Sequence, residues 1–571
     1  MIKKYLITFF NNIKLKNKTH IIFENEYIKK LYTDYQLRNY KCSSIENLNQ
    51  VYKKNNNYSF VKKKVKIYLD EIIPKLNEIN NCKLKKKEWE LLIEYFLIIT
   101  VMNIKTRFDT LKKIKNKKNT YIYADNYNFF FENSNIYRIF QLENVNYNFY
   151  INFLIAKKLN LKILKSKNIR KIYLFEKFQK KTFLKKMIYF FYDNLLSLFV
   201  EPTLILDGYF GKQNVLKIIF KSKFKILFAN IDYLDFPRKM INFKKDFKSR
   251  SKISIKIRDD FDIIYNEFIK NVLPSSFLEN FNSYFLANKK KYLNISKIGT
   301  AVHFAVNDNF KFAVLNLKRK NKKSFNMQHG AFMGYRVFDP EDYINQKMSD
   351  LNLLWHDKNL NIGSQYFLNS KYKFKKFENK ILFFPCHILF NQELDAFAKN
   401  NHIYLNQYFN LVKSLIIKKK FFLSVKFFNH KNDDLFKRIW RSYFGKNVKI
   451  LESNSSYKGS IFEKYDLVII DDFSTAFYEL LYQNKPFIVL NSAPNVNFKK
   501  KFWKEINKLK KINLWFENEN QLAKYLDKNF ENIILNWNKT IKTKQYIKLR
   551  KTLFARENFN DSLFVKKILE L

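Results

Sequence analysis

Two stretches of this chain set hydroxyl, imidazole and carboxylate groups at the ends of apolar runs, where they could meet a ligand. The first runs from Asp466 through Asp471, Asp472, Ser474 and Thr475 to Glu479, and continues to Asn491. Leu467 to Ile470 predicts a buried strand, Ser474-Thr475 opens a helix ending near Asn484, and Phe487 to Leu490 predicts a second strand. Strand, polar turn, helix, strand is the crossover from which parallel sheets are built. Free N–H groups at a helix N-terminus, with two hydroxyls beside them, suit an anion such as a phosphate. Glu479, one turn later, is placed to accept from ribose hydroxyls. The plainer reading is that Ser474 and Thr475 only cap the helix and Glu479 is solvated.

The second stretch is Asn326-Met-Gln-His-Gly-Ala-Phe-Met-Gly-Tyr335. Lys323 to Gln328 reads as a strand, so His329 falls at a sheet's carboxyl edge, where α/β proteins bind ligands. Gly330 and Gly334 let the backbone approach a ligand closely. With an ordinary pKa near neutrality, His329 could take a proton from an acceptor hydroxyl or polarise a leaving phosphate. The alternative is a histidine packed at a domain edge and bonded to a carbonyl. Gln328, Arg336, Asp339 and Asp342 belong to the same loop and are candidates for substrate contact.

The remaining histidines carry less chemistry. His303 lies inside a strand pattern and reads as structural, His356 follows Trp355, and His387 follows Cys386. No His or Cys spacing resembles a metal site. Asp471-Asp472 is an adjacent pair whose side chains diverge, not an Asp-x-Asp metal motif.

These groups need a scaffold, and the chain is long enough for one. Its 571 residues support two or more domains. Hydrophobic content of 47% and aromatic content of 18% exclude disorder as the general state. The net charge of +55 would suit nucleic acid or an anionic membrane. However, Lys, Asn, Ile, Phe and Tyr are inflated together while Gly and Pro stand at 8 each, which points to codon bias. Arginine, the preferred base reader, is scarce, so a nucleic-acid partner is not expected. The excess still favours weak contact with an anionic membrane face and steering of anionic substrates. Cys42, Cys82 and Cys386 are far apart and offer no disulfide framework, which fits a reducing cytoplasm. Neither Trp89 to Ile104 nor Met187 to Leu206 qualifies as a membrane span, and the first ten residues are too brief an apolar run for a signal peptide.

Along the chain, Lys63 to Ile79 and Leu84 to Lys113 predict helices, Tyr121 to Tyr123 a short strand, and Tyr147 to Leu161 a further helix. From Thr203 the pattern alternates. Thr203 to Gly211 reads as a strand with a glycine-bearing turn, further strands are expected at Lys225–Ala229, Ile298–Ala305 and Lys323–Gln328, and helices over Gln213–Phe220 and Phe310–Arg319. This indicates an α/β domain with a parallel sheet. After a charged stretch from Lys371 to Lys380, a second such domain begins at Ile381. Its strands are expected at Ile381–Pro385, Phe421–Lys426 and Val448–Leu451, with a helix over Asp433–Tyr443. One polar helix, about Asn536 to Leu571, closes the chain. The expected division is 1–375, a helical N-terminal region plus the acceptor-side domain, and 376–571, the donor-side domain.

The order of motifs resembles a known group. A strand ending in Gln-His-Gly, then Lys380 to Pro385, then a strand ending in Lys426, then Asp472, Ser474, Thr475 and Glu479 occur in sequence. This resembles the two-Rossmann-domain (GT-B) transferases of bacterial surface polymers, distantly including CDP-glycerol glycerophosphotransferases and capsular Kdo transferases. The chain looks most like a family of transferases associated with lipopolysaccharide and surface-carbohydrate synthesis. The resemblance implies a fold of two Rossmann-like domains facing a cleft, with a helical N-terminal region. It implies a nucleotide-activated sugar as co-substrate, held by Ser474, Thr475, Glu479, Asp472 and Lys426, and a glycan or lipid-linked acceptor. His329 would be the catalytic group, and no metal would be needed for the chemistry. Ala331 and Met333 depart from that family's Gln-His-Gly-Gly-x-Tyr-Gly motif, and Phe428-Asn429 replaces the His-Pro of the glycerophosphotransferases. Two alternatives therefore stay open: polyol-phosphate transfer on the same scaffold, and a non-catalytic glycan-assembly protein.

Overall fold

The computed structural model describes residues 19–23, 29, 41–44, 54–117, 119–164, 170–175, 182–192, 201–234, 240–291, 295–330, 333–365, 377–385, 401–418, 421–427, 440–451, 459–491, 498–556 and 558–571. Ala331, the boundary at 375/376, Cys386, His387, Phe428-Asn429 and most of the helix expected over Asp433–Tyr443 lie outside the described residues.

The N-terminal region is helical, as its period indicates, and it also carries strands. The helices Lys54–Ile79 and Lys86–Ile114 pack together, and Trp89, Leu92, Phe96 and Leu97 of the second are buried. Beside them lies a parallel sheet of β1 (His20–Phe23), β2 (Lys41–Ser44), β3 (Thr120–Tyr123) and β5 (Lys162–Leu164), in the order β2-β1-β3-β5. A parallel pair, β4 (Tyr127–Phe131) and β6 (Arg170–Leu174), completes the region. Most of these strands are three or four residues long, too short for a period-two pattern to stand out.

A second, five-stranded parallel sheet comprises β7 (Thr203–Leu206), β8 (Ile226–Ala229), β9 (Lys297–Thr300), β10 (Lys323–Met327) and β11 (Leu351–Leu353), in the order β11-β10-β9-β7-β8. β9 is shorter than its hydrophobic run suggests. It stops at Thr300, and His303 begins a short helix, so the strand expected to reach Ala305 is corrected. The Thr300 hydroxyl accepts the amides of Val302 and His303 and turns the chain there.

The third sheet holds β12 (Lys380–Phe384), β13 (Phe422–Val425), β14 (Lys449–Ile450), β15 (Leu467–Ile470), β16 (Phe487–Leu490) and β17 (Trp515–Phe516), ordered β14-β13-β12-β15-β16-β17 and parallel throughout. Alternation decides its layers. Leu382, Phe384, Val468, Ile470, Phe487 and Val489 enter one core. Ile381, Phe383, Leu467, Ile469, Ile488 and Leu490 enter the other. Both faces are dry, which is why these strands read as continuous apolar runs. Two Rossmann-like α/β units thus follow the N-terminal region.

The single closing helix expected from Asn536 is instead three: Ile533–Thr540, Lys544–Leu553 and Asp561–Glu570. The Thr543 hydroxyl caps the second by accepting the Tyr546 amide, and Asn560 caps the third by accepting that of Leu563. The last helix crosses back to the five-stranded sheet. Phe564, Val565 and Ile568 pack against Ile205, Phe325 and Met327. Lys297 Nζ donates to the Ile568 and Leu569 carbonyls, at the helix end where a cation is favourable.

One buried ion pair ties the N-terminal helices to the first α/β unit. Lys311 Nζ lies 3.1 Å from Asp308, both side chains fully buried, and donates to the Leu92 carbonyl. Asp308 also accepts from the Ser134 amide and the Ser276 hydroxyl. Lys311→Met strands that carboxylate and is expected to lose about 3–5 kcal/mol of stability. Adding Asp308→Asn should restore most of it, as read from denaturant midpoints.

Candidate functional site

Both α/β sheets have a switch point, where successive strands leave on opposite sides and a crevice opens at the carboxyl ends. In the six-stranded sheet it falls between β12 and β15. Directly after β15 come Asp471, Asp472 and the N-terminus of the helix Thr475–Gln483. Asp471 and Asp472 are buried and used internally. Asp471 accepts from Tyr408 Oη, its carbonyl takes the Asn491 amide, and Asp472 Oδ1 accepts the Phe473 amide at 2.8 Å.

Ser474 is the N-cap residue, in extended conformation, yet its side chain makes no capping bond. The plain capping reading is therefore not what the geometry shows. The first-turn amides face the crevice end of β15 with the Ser474 and Thr475 side chains partly exposed beside them. Asn484 closes the helix at φ 56°, a left-handed cap. Glu479 is buried, not solvated, and Gln483 Nε2 donates to it at 3.3 Å. Lys426 stands immediately after β13, buried, its amide bonded to the Phe383 carbonyl. The structure thus brings Asp472, Ser474 and Thr475 to one crevice edge, with Lys426 two strands away in the same sheet and Glu479 one turn down the helix.

In the five-stranded sheet the switch point lies between β7 and β9. His329, after β10, is one strand further along. Its ring stacks on Tyr209, centroids 6.1 Å apart, and its Nε2 is 3.5 Å from Glu341. The Nδ1 atom is buried without a hydrogen bond. Burial lowers its pKa to about 4, against the opposing pull of the Ala301 backbone and Asp339 and with help from His303. The near-neutral value expected from sequence is corrected accordingly. At neutral pH this imidazole is uncharged: a hydrogen-bonding group and a weak proton acceptor.

Gln328 serves as an internal strut. It is fully buried, donates to the Gly330 carbonyl, accepts the Trp355 amide, and its carbonyl takes the Gln365 amide. Arg336 is buried against Asp339. Gly330 has open space where a side chain would stand, which suits close approach of a ligand. Gly334 is needed for another reason: its φ is +82° and a Cβ would meet the His356 ring at 2.7 Å. Its amide is held by Asp342 at 2.8 Å. The loop then binds the second unit, where Lys499 Nζ donates to the Gly334 carbonyl and the Lys499 amide to that of Tyr335.

His356 is likewise pushed down to about 4, chiefly by burial. The sign follows. As pH falls below about 6.5 the unfolded chain takes up protons that folded His329 and His356 refuse until about pH 4. Stability is therefore full above pH 7 and declines toward pH 4, by up to about 3 kcal/mol for each group. Melting temperatures should drop between pH 7 and 5, and His356→Gln should shallow that drop. A flat profile would contradict the burial argument.

Sequence reasoning missed two residues at the switch point of the five-stranded sheet, Asp207 and His303. His303 Nε2 is 2.8 Å from Asp207 Oδ2. Only the apolar run into Ala305 hid this, and Thr300 was the available signal of a break.

Among the described residues no helix is long and apolar enough to cross a membrane, and no three His, Cys, Asp or Glu side chains group as a metal site.

Comparison with known proteins gives a family over nearly the whole length: the model described as "LIC12162 family transferase" matches residues 5–569. No curated protein matches. Among solved structures, the chain is similar over 65% of its length to a "glycotransferase of kitacinnamycin" (10% identity, 98% of that chain, TM-score 0.35). The corresponding figures are 11%, 95% and 0.34 for an S. aureus MnaA–UDP co-structure, again over 65% of this chain. For MurG of Acinetobacter baumannii they are 9%, 99% and 0.33, over the same share.

Proposed function

Because the chain belongs to the LIC12162 family of transferases, we propose that it moves a sugar from a nucleotide-activated donor to a bacterial surface-polysaccharide or lipopolysaccharide precursor. The observation that supports this most is the helix N-terminus after β15, which carries a serine that does not cap, at the switch point of a six-stranded parallel sheet. First-turn amides there suit the donor's phosphates, and the helix dipole stabilises charge on the leaving phosphate. Asp472, Thr475, Glu479 and Lys426 complete the donor side. His329, uncharged, orients the acceptor or donates to the departing oxygen, with Gly330 leaving room for the substrate. Metal-independent chemistry is part of the proposal, as is a cytoplasmic location at the inner membrane face. A cavity of about 680 Å³ beside the C-terminal helices, bordered by Lys358, Lys542, Arg550, Lys551 and Arg556, supports contact with anionic headgroups.

Isothermal titration with CMP, UDP and GDP nucleotides tests the donor site. Binding of one class is expected, and binding of none would leave the glycan-assembly alternative. With a donor labelled in its phosphate, label should stay on the nucleotide. Label in the product would mean polyol-phosphate transfer.

A further inference from the structure

The switch point of the five-stranded sheet holds an arrangement that the donor and acceptor groups described above do not use. The chain leaves β7 through Asp207, Gly208 and Tyr209. Asp207 has φ 46° and Tyr209 φ 56°, left-handed values that a bulky tyrosine rarely adopts. A left-handed residue of this kind costs on the order of 1–3 kcal/mol and persists where the surroundings enforce it. The turn directs two side chains to two histidines. Asp207 Oδ2 meets His303 Nε2 at 2.8 Å, and the Tyr209 ring stacks on His329. Asp207 is itself fixed, since the same oxygen accepts the Ile231 amide at 2.9 Å. The His303 amide is held by Thr300, and its ring lies against Phe310. The pair sits at the edge of the crevice, with the His303 side chain 11% and the Asp207 side chain 29% exposed.

The chemistry of the pair follows from its geometry. A carboxylate accepting from Nε2–H fixes the tautomer of the neutral ring and leaves Nδ1 as the proton acceptor. It also stabilises the imidazolium formed when that proton arrives. His329, next to it, has neither property: the Glu341 carboxylate stands 3.5 Å from its Nε2, and its pKa of about 4 makes it a poor base at neutral pH.

We propose that Asp207 and His303 are the proton-accepting pair of the acceptor site, with His303 the catalytic base and Asp207 its positioning residue. The inference rests on the sugar-transfer reading above. In the step, the acceptor O–H bond breaks and its proton passes to His303 Nδ1. The acceptor oxygen bonds the sugar's anomeric carbon, the bond from that carbon to the phosphate oxygen breaks, and the electron pair leaves on the phosphate. The proton on His303 then returns to solvent. His329 contributes a hydrogen bond to the same centre.

The test uses the full-length protein and a panel of UDP-, GDP- and CMP-sugars, with water standing in for the acceptor hydroxyl and nucleotide release as readout. His303→Gln and Asp207→Asn should each lower the turnover number about 10²–10⁴-fold, with KM and the calorimetric Kd for the nucleotide unchanged within about twofold. Asp207→Asn keeps an acceptor for the Ile231 amide, so it separates loss of the carboxylate from loss of the turn. Added imidazole should partly restore His303→Gly, which a purely structural role would not permit. Wild-type rates in His303→Gln and Asp207→Asn, or loss of nucleotide binding in step with turnover, would overturn the pair as base. No release by the wild-type protein from any donor would instead overturn the sugar-transfer reading, and the inference with it.

Discussion

Ser474→Asp should weaken nucleotide binding on the order of 10³-fold while leaving the fold as stable as before, or more so. Two like charges about 4 Å apart cost about 4 kcal/mol at an effective dielectric constant of 20, which corresponds to that factor. Aspartate is a preferred N-cap and is favoured by the helix dipole. Because the present serine makes no capping bond, the substitution has stability to gain, about 0.5–2 kcal/mol. A calorimetric Kd and a melting temperature on the same sample decide the matter. Unchanged affinity would remove the helix N-terminus as the phosphate site. A lowered melting temperature would assign the loss to the fold.

His329→Ala is expected to reduce transfer about 10²–10³-fold, the usual effect of deleting one donor at a developing charge, with nucleotide affinity intact. His329→Gln, whose amide can still donate, should recover part of the rate. With burial holding the pKa at about 4, the ratio of wild-type to variant rates should be flat from pH 6 to 8. A ratio that climbs across that range would show that the ring titrates there and would return the base role to His329. Full activity in the alanine variant would dismiss it from the chemistry.

The donor-side crossover was legible because each level agreed. The apolar runs Leu467–Ile470 and Phe487–Leu490 are the strands found, and the helix ends at Asn484 as its type suggested. Both faces of that sheet are buried, so hydrophobicity alone marks its strands. Side-chain roles were less legible. Glu479, Gln328 and Arg336 are polar residues in suggestive positions, and sequence does not reveal that all three are buried and engaged. His303 was misplaced because Ala301, Val302, Phe304 and Ala305 continue the apolar pattern of β9 into a helix, where period two and period 3.6 are indistinguishable over so few residues. The strands of the N-terminal region were hidden for a related reason: β1, β2 and β5 span three or four residues each. Composition misled least where it was discounted, since a charge spread this evenly names no partner.

The return of the helix Asp561–Glu570 to the five-stranded sheet also sets a timetable for synthesis. The last strand of that sheet, β11, ends at Leu353, and the helix that covers Ile205, Phe325 and Met327 begins about 200 residues later. At roughly 5–20 residues per second, that apolar face waits on the order of 10–40 s after its strands leave the ribosome. Nascent chains of this protein therefore spend that interval with an unfinished core, the period in which a holding chaperone would engage them. Ribosome-bound chains stalled just after β17 should be protease-sensitive in the first α/β unit, and those extended past Leu571 should not.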